Sequence, residues 1–109
     1  MKAFTCALAI LLLTLGIAIA NDVYCNSICI DIEDEISSKN EQSARKALDE
    51  FERNEFILKL SVDNGYVSEA EVSLRSLVSA YEHNDSYEIS RYIADTLVRI
   101  RRVRRALLI

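Results

Sequence analysis

The sequence contains no proline and only two glycines, Gly16 and Gly65. Proline and glycine mark most turns and loops, and they are the least favourable residues inside helices. A chain of 109 residues with so few of them lacks the many turns that a β-sandwich or a β-barrel requires. The sequence therefore predicts an all-α protein.

Residues that bind metals or carry out catalysis are also scarce. Three cysteines are too few for a disulfide scaffold, and Cys6 lies in an apolar segment. Cys25 and Cys29 are four residues apart, which puts both on one helix face as small buried side chains. The one histidine, His83, has no second ligand nearby and no nucleophile to activate. We therefore predict no catalytic residue, no metal site and no cofactor, and a protein that is not an enzyme.

The chain starts with a long apolar run. Residues 3–20 read AFTCALAILLLTLGIAIA and contain no charged side chain. As a helix these residues span about 27 Å, close to the hydrocarbon thickness of a bilayer, which predicts a membrane anchor. Ala18-Ile19-Ala20 is also the small-x-small pattern that precedes a signal peptidase cleavage site. Both interpretations, an anchor and a cleaved signal sequence, stay open.

Either interpretation exports the chain from residue 21 onward. Lys2 lies before the apolar run, and acidic residues lie after it, so the positive-inside rule places the amino terminus in the cytoplasm. We predict a signal sequence or transmembrane anchor over residues 1–20 and an extracytoplasmic helical domain over residues 21–109. The whole chain has a net charge of −4, and without Lys2 the exported part has −5. This acidity predicts that nucleic acid is not a partner.

Apolar residues recur every three or four positions after residue 21, which predicts amphipathic helices. The inner face of the first, over about residues 22–38, consists of Cys25, Ile28, Cys29, Ile32 and Ile36. Its other face carries the acidic residues Asp31, Glu33, Asp34 and Glu35. They do not form a calcium-binding loop, because the sixth position from Asp31 holds Ile36 instead of the required glycine. We expect a solvated acidic face.

A second helix begins near residue 40, where either Ser38 with Glu41 forms a capping box or Asn40 is the cap. Its inner stripe consists of Ala44, Ala47, Leu48, Phe51, Leu58 and Val62. The apolar arc widens toward the end of this helix. That widening predicts that neighbouring helices surround three further residues, Phe56, Ile57 and Leu60.

Asp63-Asn64-Gly65 separates the second and third helices, and we expect a left-handed C-cap there. Ser68 and Glu71 fit a capping box for the third helix, which continues to about residue 83. Val67 and Val72 have the spacing of a hydrophobic staple around that cap. The sequence therefore predicts that the third helix starts at Ser68.

A fourth helix starts at Asp85 with Glu88, which repeat the capping pattern. Its inner stripe consists of Ile89, Ile93, Leu97, Ile100, Val103 and Leu107. The connections between the predicted helices are short, and short connections make consecutive helices antiparallel. We predict a small up-down antiparallel bundle of three to four helices behind the N-terminal hydrophobic helix.

Basic residues cluster in the last eleven positions as Arg99, Arg101, Arg102, Arg104 and Arg105. They can complement the helix dipole and pair with acidic residues of the first and second helices. Alternatively, if the fourth helix returns to the bilayer, they can contact anionic lipid headgroups together with Leu107, Leu108 and Ile109. Both interpretations stay open.

The chain from about Ala44 onward resembles a bacterial family of short membrane-anchored proteins, the DUF4363 family. The similarity rests on Phe51 to Leu60, the acidic turn at Asp63 and the stretches VSEAEVSLRSLVSAYEHND and ISRYIADTLVRIRRV. This resemblance implies a hydrophobic N-terminal segment followed by a small helical domain. It assigns no functional residue to the chain.

Together these features predict a non-enzymatic interaction module of the bacterial cell envelope. Residues 3–20 hold it in the membrane, and the bundle binds an unknown protein partner. The alternative is a secreted small helical factor released by cleavage after Ala20.

Overall fold

The computed structural model describes residues 1–107 and, over this range, contains five α-helices and no strand. They are α1 (Lys2–Ser37), α2 (Glu41–Arg53), α3 (Glu55–Ser61), α4 (Asn64–Glu82) and α5 (Ser86–Leu107). The all-α prediction is therefore confirmed. Leu108 and Ile109, which we expected to reach the lipid headgroups, lie outside the described residues.

Helix α1 joins the apolar run and the first amphipathic helix into one helix of 36 residues. All residues from 1 to 20 are exposed, and the first buried residue is Cys25. From there the five residues predicted for the inner face are all buried. A helix of this length is about 54 Å long, so α1 extends well beyond the bundle and gives the molecule an extent of 67 × 21 × 17 Å.

The second half of α1 forms a bundle with the other helices. It packs against α2 and α5, and α4 packs against α5 and α2. Phe51, Leu74 and Ile100 are fully buried at the centre of the core. Short connections make the chain alternate in direction, with α2 and α3 together forming one return segment. The predicted antiparallel bundle behind a long apolar helix is confirmed.

The second predicted helix is interrupted at Asn54. Its φ and ψ angles are −106° and 5°, and its side-chain amide donates to the carbonyl of Glu50 at 2.7 Å. Asparagine often bonds local backbone in this way, and the bond competes with regular helix geometry. The short helix α3 that comes next buries Leu58 but leaves Phe56 and Leu60 exposed by 75% and 69%. The expectation that neighbouring helices surround Phe56 and Leu60 is therefore wrong. Helix α3 packs mainly on α1 and α4, and within residues 1–107 no helix covers these two side chains.

The turn after α3 also differs from the prediction. Asp63 is the N-cap of α4, and its carboxylate accepts from the backbone N–H of Gly65 at 2.8 Å. Helix α4 therefore begins at Asn64, four residues before Ser68. The prediction of a left-handed C-cap at this turn is wrong. Neither Asn64 nor any glycine among the described residues has a positive φ. The staple is wrong as well, since Val72 is 65% exposed.

Two other helix starts agree with the local sequence signals. Asn40, not Ser38, caps α2 by accepting from the N–H of Ser43 at 2.8 Å. Asp85 caps α5 by accepting from the N–H of Glu88 at 3.1 Å, as predicted. Left-handed residues occur after α1 and α4, at Lys39 and Asn84, with φ angles of 57° and 52°. The left-handed cap is thus present in this protein, but at other turns.

We predict that Asp63→Ala lowers the free energy of unfolding by about 1 kcal/mol, because it removes the acceptor of an otherwise free helix N–H. Ser68→Ala is the control. Since Ser68 lies exposed inside α4, that change leaves stability equal or slightly raised. Urea denaturation of both variants measures the difference, and a loss confined to Ser68→Ala would place the helix start where the sequence pattern put it.

Candidate functional site

The most distinctive surface of the protein is the N-terminal half of α1. None of residues 1–20 is buried, and an 18-residue window of α1 has a mean hydropathy of 2.5. Nine large apolar side chains between residues 3 and 20 are exposed by 45 to 71%, namely Phe4, Leu8, Ile10, Leu11, Leu12, Leu13, Leu15, Ile17 and Ile19. Within the part of the chain that the structure describes, α1 is the one helix long and apolar enough to cross a membrane.

The few polar side chains in this segment are satisfied by the helix itself. The hydroxyl of Thr5 donates to the carbonyl of Met1 at 3.1 Å, and that of Thr14 donates to Ile10 at 2.8 Å. In hydrocarbon an unsatisfied polar group costs several kcal/mol, and bonding back to the preceding turn removes that cost. The segment therefore presents no unsatisfied side-chain hydroxyl to an apolar solvent.

Two hydrogen bonds connect the end of the apolar run to α3. The amide of Asn21 donates to the hydroxyl of Ser61, and the hydroxyl of Tyr24 donates to the side-chain oxygen of Asn54 at 3.1 Å. Asn54 precedes α3 and Ser61 is its last residue, so the whole of α3 lies beside residues 21–24. Helix α3 is therefore held at the point where the apolar half of α1 meets the bundle.

Two of the five clustered arginines connect α5 to α1. Arg104 donates to one oxygen of Glu33 at 2.7 Å, and Arg101 donates to the other at 3.2 Å. The Glu33 side chain is only 12% exposed, so its charge is largely removed from water and compensated by these two cations. Pairing with the acidic face of the first helix is thus confirmed for Arg101 and Arg104.

The other three arginines have different environments. Arg99 contacts Asp95 and Glu69, both at 3.0 Å, and Arg102 contacts Glu69 at 3.5 Å. These partners lie on α5 and α4 instead of the second predicted helix. Arg105 is exposed and makes no ion pair within residues 1–107. Lipid contact by the five arginines stays a prediction, and Arg105 is the one whose charge no carboxylate engages within that range.

A groove of about 580 Å³ lies between α4 and α5. At its floor the hydroxyl of Ser73 donates to Asp95 at 2.6 Å and lies 2.9 Å from the hydroxyl of Thr96. The bond from Ser73, with the neighbouring Arg99, lowers the pKa of Asp95. A carboxylate with a lowered pKa is a weak base, so Asp95 is poorly suited to activate Ser73. These contacts fasten α4 to α5.

Neither the histidine nor the cysteines contribute to that groove. The ring Nδ1 of His83 lies 2.8 Å from the carbonyl of Ser79 at the end of α4. Cys25 and Cys29 are free and fully buried, as predicted, and burial raises the pKa of the Cys29 thiol to about 12. Raised thiol pKa values leave little reactive thiolate at neutral pH. Among the described residues, no group of three or more His, Cys, Asp or Glu side chains is placed to hold a metal ion.

Two pairs of carboxyl groups meet between helices. Glu35 of α1 contacts Glu50 of α2, and burial together with the charge of Glu50 raises the pKa of Glu35 to about 7. Glu55 and Glu71 form a second such pair, in which the hydrogen bond between them raises the pKa of Glu71. One oxygen each of Glu35 and Glu71 is buried and has no hydrogen-bond partner within residues 1–107. The solvated acidic face predicted for the first helix is therefore wrong at Glu33 and Glu35, whose side chains are 12% and 16% exposed.

Comparisons of the chain with models of known protein families, with curated proteins and with solved structures give no match. The resemblance to the DUF4363 family stays a prediction that rests on the quoted residues.

We predict that the bundle loses stability as the pH rises from about 4.5 to about 7. Because the folded-state pKa of Glu35 is raised from 4.5 to about 7, the folded protein holds that proton more tightly than the unfolded chain. The resulting stability is complete below about pH 4.5 and is lost as the pH passes through about 7. Glu35→Gln removes the ionisation and should raise the free energy of unfolding at pH 8 by about 1–2 kcal/mol.

The matched control for this change is Asp34→Asn, which removes one charge from the exposed neighbouring residue. Urea denaturation of residues 21–109, which contain the whole core, measures all three proteins from pH 4 to pH 8. A pH profile of Glu35→Gln equal to that of the unmodified bundle would show that Glu35 does not titrate in this range.

We predict that Arg104→Gln lowers the free energy of unfolding by about 0.5–1 kcal/mol, because it weakens the compensation of the largely buried Glu33 carboxylate. Arg105→Gln removes the same charge from the adjacent residue and should have no effect on stability. Thermal and urea denaturation compare the two, and equal losses would mean that the pairing with Glu33 is not stabilising.

Proposed function

We propose that the protein is a non-enzymatic interaction module of the bacterial cell envelope. Residues 3–20 of α1 cross the membrane, and the bundle lies outside the cytoplasm and binds another envelope protein. One observation carries this proposal. The first half of α1 extends away from the bundle as an exposed apolar helix, while the core is complete without it and starts at Cys25.

The free energy of transfer favours a bilayer over water around the apolar half of α1. Transfer of nine large, half-exposed apolar side chains from water into hydrocarbon is favourable by on the order of 10 kcal/mol. The helix supplies its own backbone hydrogen bonds, which hydrocarbon requires. No loop separates the apolar half from the bundle, so the membrane segment also sets the orientation of the second half of α1.

The proposed orientation rests on charge. Lys2 precedes the apolar run, and the first basic residue after it is Lys39, beyond the end of α1. Basic residues near a membrane segment favour the cytoplasmic side. The bundle therefore lies on the opposite, extracytoplasmic side.

A secreted helical factor is the second candidate function, and Ala18-Ile19-Ala20 favours it. Cleavage after Ala20 would leave a chain that starts at Asn21, four residues before the first buried residue. Because no core residue precedes Cys25, the product would keep the whole core. The fold of the bundle is compatible with both candidates.

Cell fractionation tests the proposal. We expect the full-length chain with a C-terminal tag to stay in the membrane fraction after an alkaline wash, with an unprocessed mass. External protease should digest the tag in intact spheroplasts. Leu12→Arg with Leu13→Arg places two charges at the centre of the run and should abolish membrane retention.

Two other outcomes of this experiment decide against the proposal. A product in the medium that starts at Asn21 would support the secreted factor. Ala20→Leu, which changes the cleavage pattern but keeps the run apolar, should then block release. An intact chain in the cytosol would contradict both candidates.

A further inference from the structure

We propose that the exposed face of α3 formed by Phe56 and Leu60, here called the α3 face, lies in the headgroup layer of the membrane that α1 crosses. This gives the bundle a second contact with the bilayer. The inference rests on the proposed function, because it requires residues 3–20 to be in the membrane.

The α3 face consists of two large apolar side chains on the same side of a helix. Phe56 and Leu60 are four residues apart, a spacing that places them on one face. They are 75% and 69% exposed, while Leu58 between them is fully buried against the core. The helix is therefore apolar on two opposite sides, and the bundle covers only one of them.

The position of α3 alongside α1 places the α3 face at the membrane boundary. Ser61 is bonded to Asn21, the residue that directly follows the apolar run. Asn54 is bonded to Tyr24, one turn farther from the membrane. The end of α3 that carries Leu60 is therefore level with the end of the apolar run, and the start of α3 is about 4.5 Å farther from the membrane along α1.

The surroundings of the α3 face are those of a bilayer interface. Tyr24 is bonded to Asn54 at the start of α3, and Tyr66 lies in the first turn of α4. They are 50% and 42% exposed, and tyrosine is enriched where membrane proteins meet the headgroups. Lys59, between the two apolar residues, is paired with Glu55 at 3.0 Å and so brings little net charge to the surface. This composition fits the boundary between headgroups and acyl chains, and it requires no anionic lipid.

The area of the α3 face favours lipid over a second copy of the chain. Phe56 and Leu60 together expose on the order of 300 Å², whereas a stable protein interface needs about 800 Å² on each partner. A small apolar surface is sufficient for contact with the bilayer. Because α1 already holds α3 at the membrane, this contact does not have to bring two separate molecules together.

Single tryptophans test the position of the α3 face, since the sequence contains no tryptophan. The full chain is reconstituted in phosphatidylcholine vesicles as Phe56→Trp or Leu60→Trp. The matched control is Tyr87→Trp, which replaces an aromatic residue that is 76% exposed at the start of α5, at the opposite end of the bundle. Leu13→Trp, in the middle of the apolar run, reports on the anchor itself.

We expect brominated lipid to quench the tryptophans at positions 56 and 60, and their emission to be shifted to the blue relative to position 87. Position 13 should be quenched most strongly, and position 87 should not be quenched. Circular dichroism of each variant checks that the bundle is folded.

Three results would overturn the inference. Quenching at position 13 with positions 56 and 60 behaving like position 87 would leave the anchor standing and show that the α3 face is in water. A blue-shifted emission at positions 56 and 60 without quenching would show that protein covers this face. No quenching at position 13 would remove the anchor, and with it both the proposed function and this inference.

Discussion

One continuous helix with an uncovered apolar half and a packed half is the constraint on which the rest of the structure depends. Helix α1 runs from Lys2 to Ser37 without a break, exposed up to residue 20 and buried on one face from Cys25. The change from exposed to buried residues occurs between residues 20 and 25, where the side chains of Asn21 and Tyr24 donate hydrogen bonds to Ser61 and Asn54 at the two ends of α3. These two bonds determine which part of the bundle comes closest to the apolar half. In consequence the seven-residue helix α3 is the part of the bundle that lies beside the end of the apolar run.

Electrostatic contacts around the second half of α1 act in opposite directions. Glu33 accepts from two arginines of α5 and so favours the packing of α5 on α1. Glu35 meets Glu50 of α2, which opposes the packing of α2 on α1 once Glu35 ionises. A like-charge pair of this kind costs about 1–2 kcal/mol, while each fully buried large apolar side chain contributes about 1.5–3 kcal/mol. Burial of Ile32 and Ile36 therefore contributes more to the packing of α1 than the repulsion between Glu35 and Glu50 opposes it.

Local patterns predicted the features that depend only on periodicity. Every inner residue of the first amphipathic helix is buried, because one apolar stripe on a continuous helix leaves a single face for the core. The start of α4 was predicted wrongly because Asp63 and Ser68 both carry a valid capping signal, and local sequence does not rank them. The Glu35–Glu50 contact was missed because it joins residues of two helices, and no local pattern indicates which acidic side chains will face each other.

Phe56 and Leu60 show a different limit of sequence reasoning, and they bear on the choice between the two candidate functions. An apolar arc in the sequence predicts that a helix face is shielded from water, but it does not indicate whether protein or lipid shields that face. In a secreted bundle these two side chains would remain 75% and 69% exposed to water, next to the new amino terminus at Asn21. In an anchored protein the same side chains adjoin the bilayer and lose that exposure without a partner protein. An apolar arc on α3 that the bundle leaves uncovered therefore favours the anchored form over the secreted one.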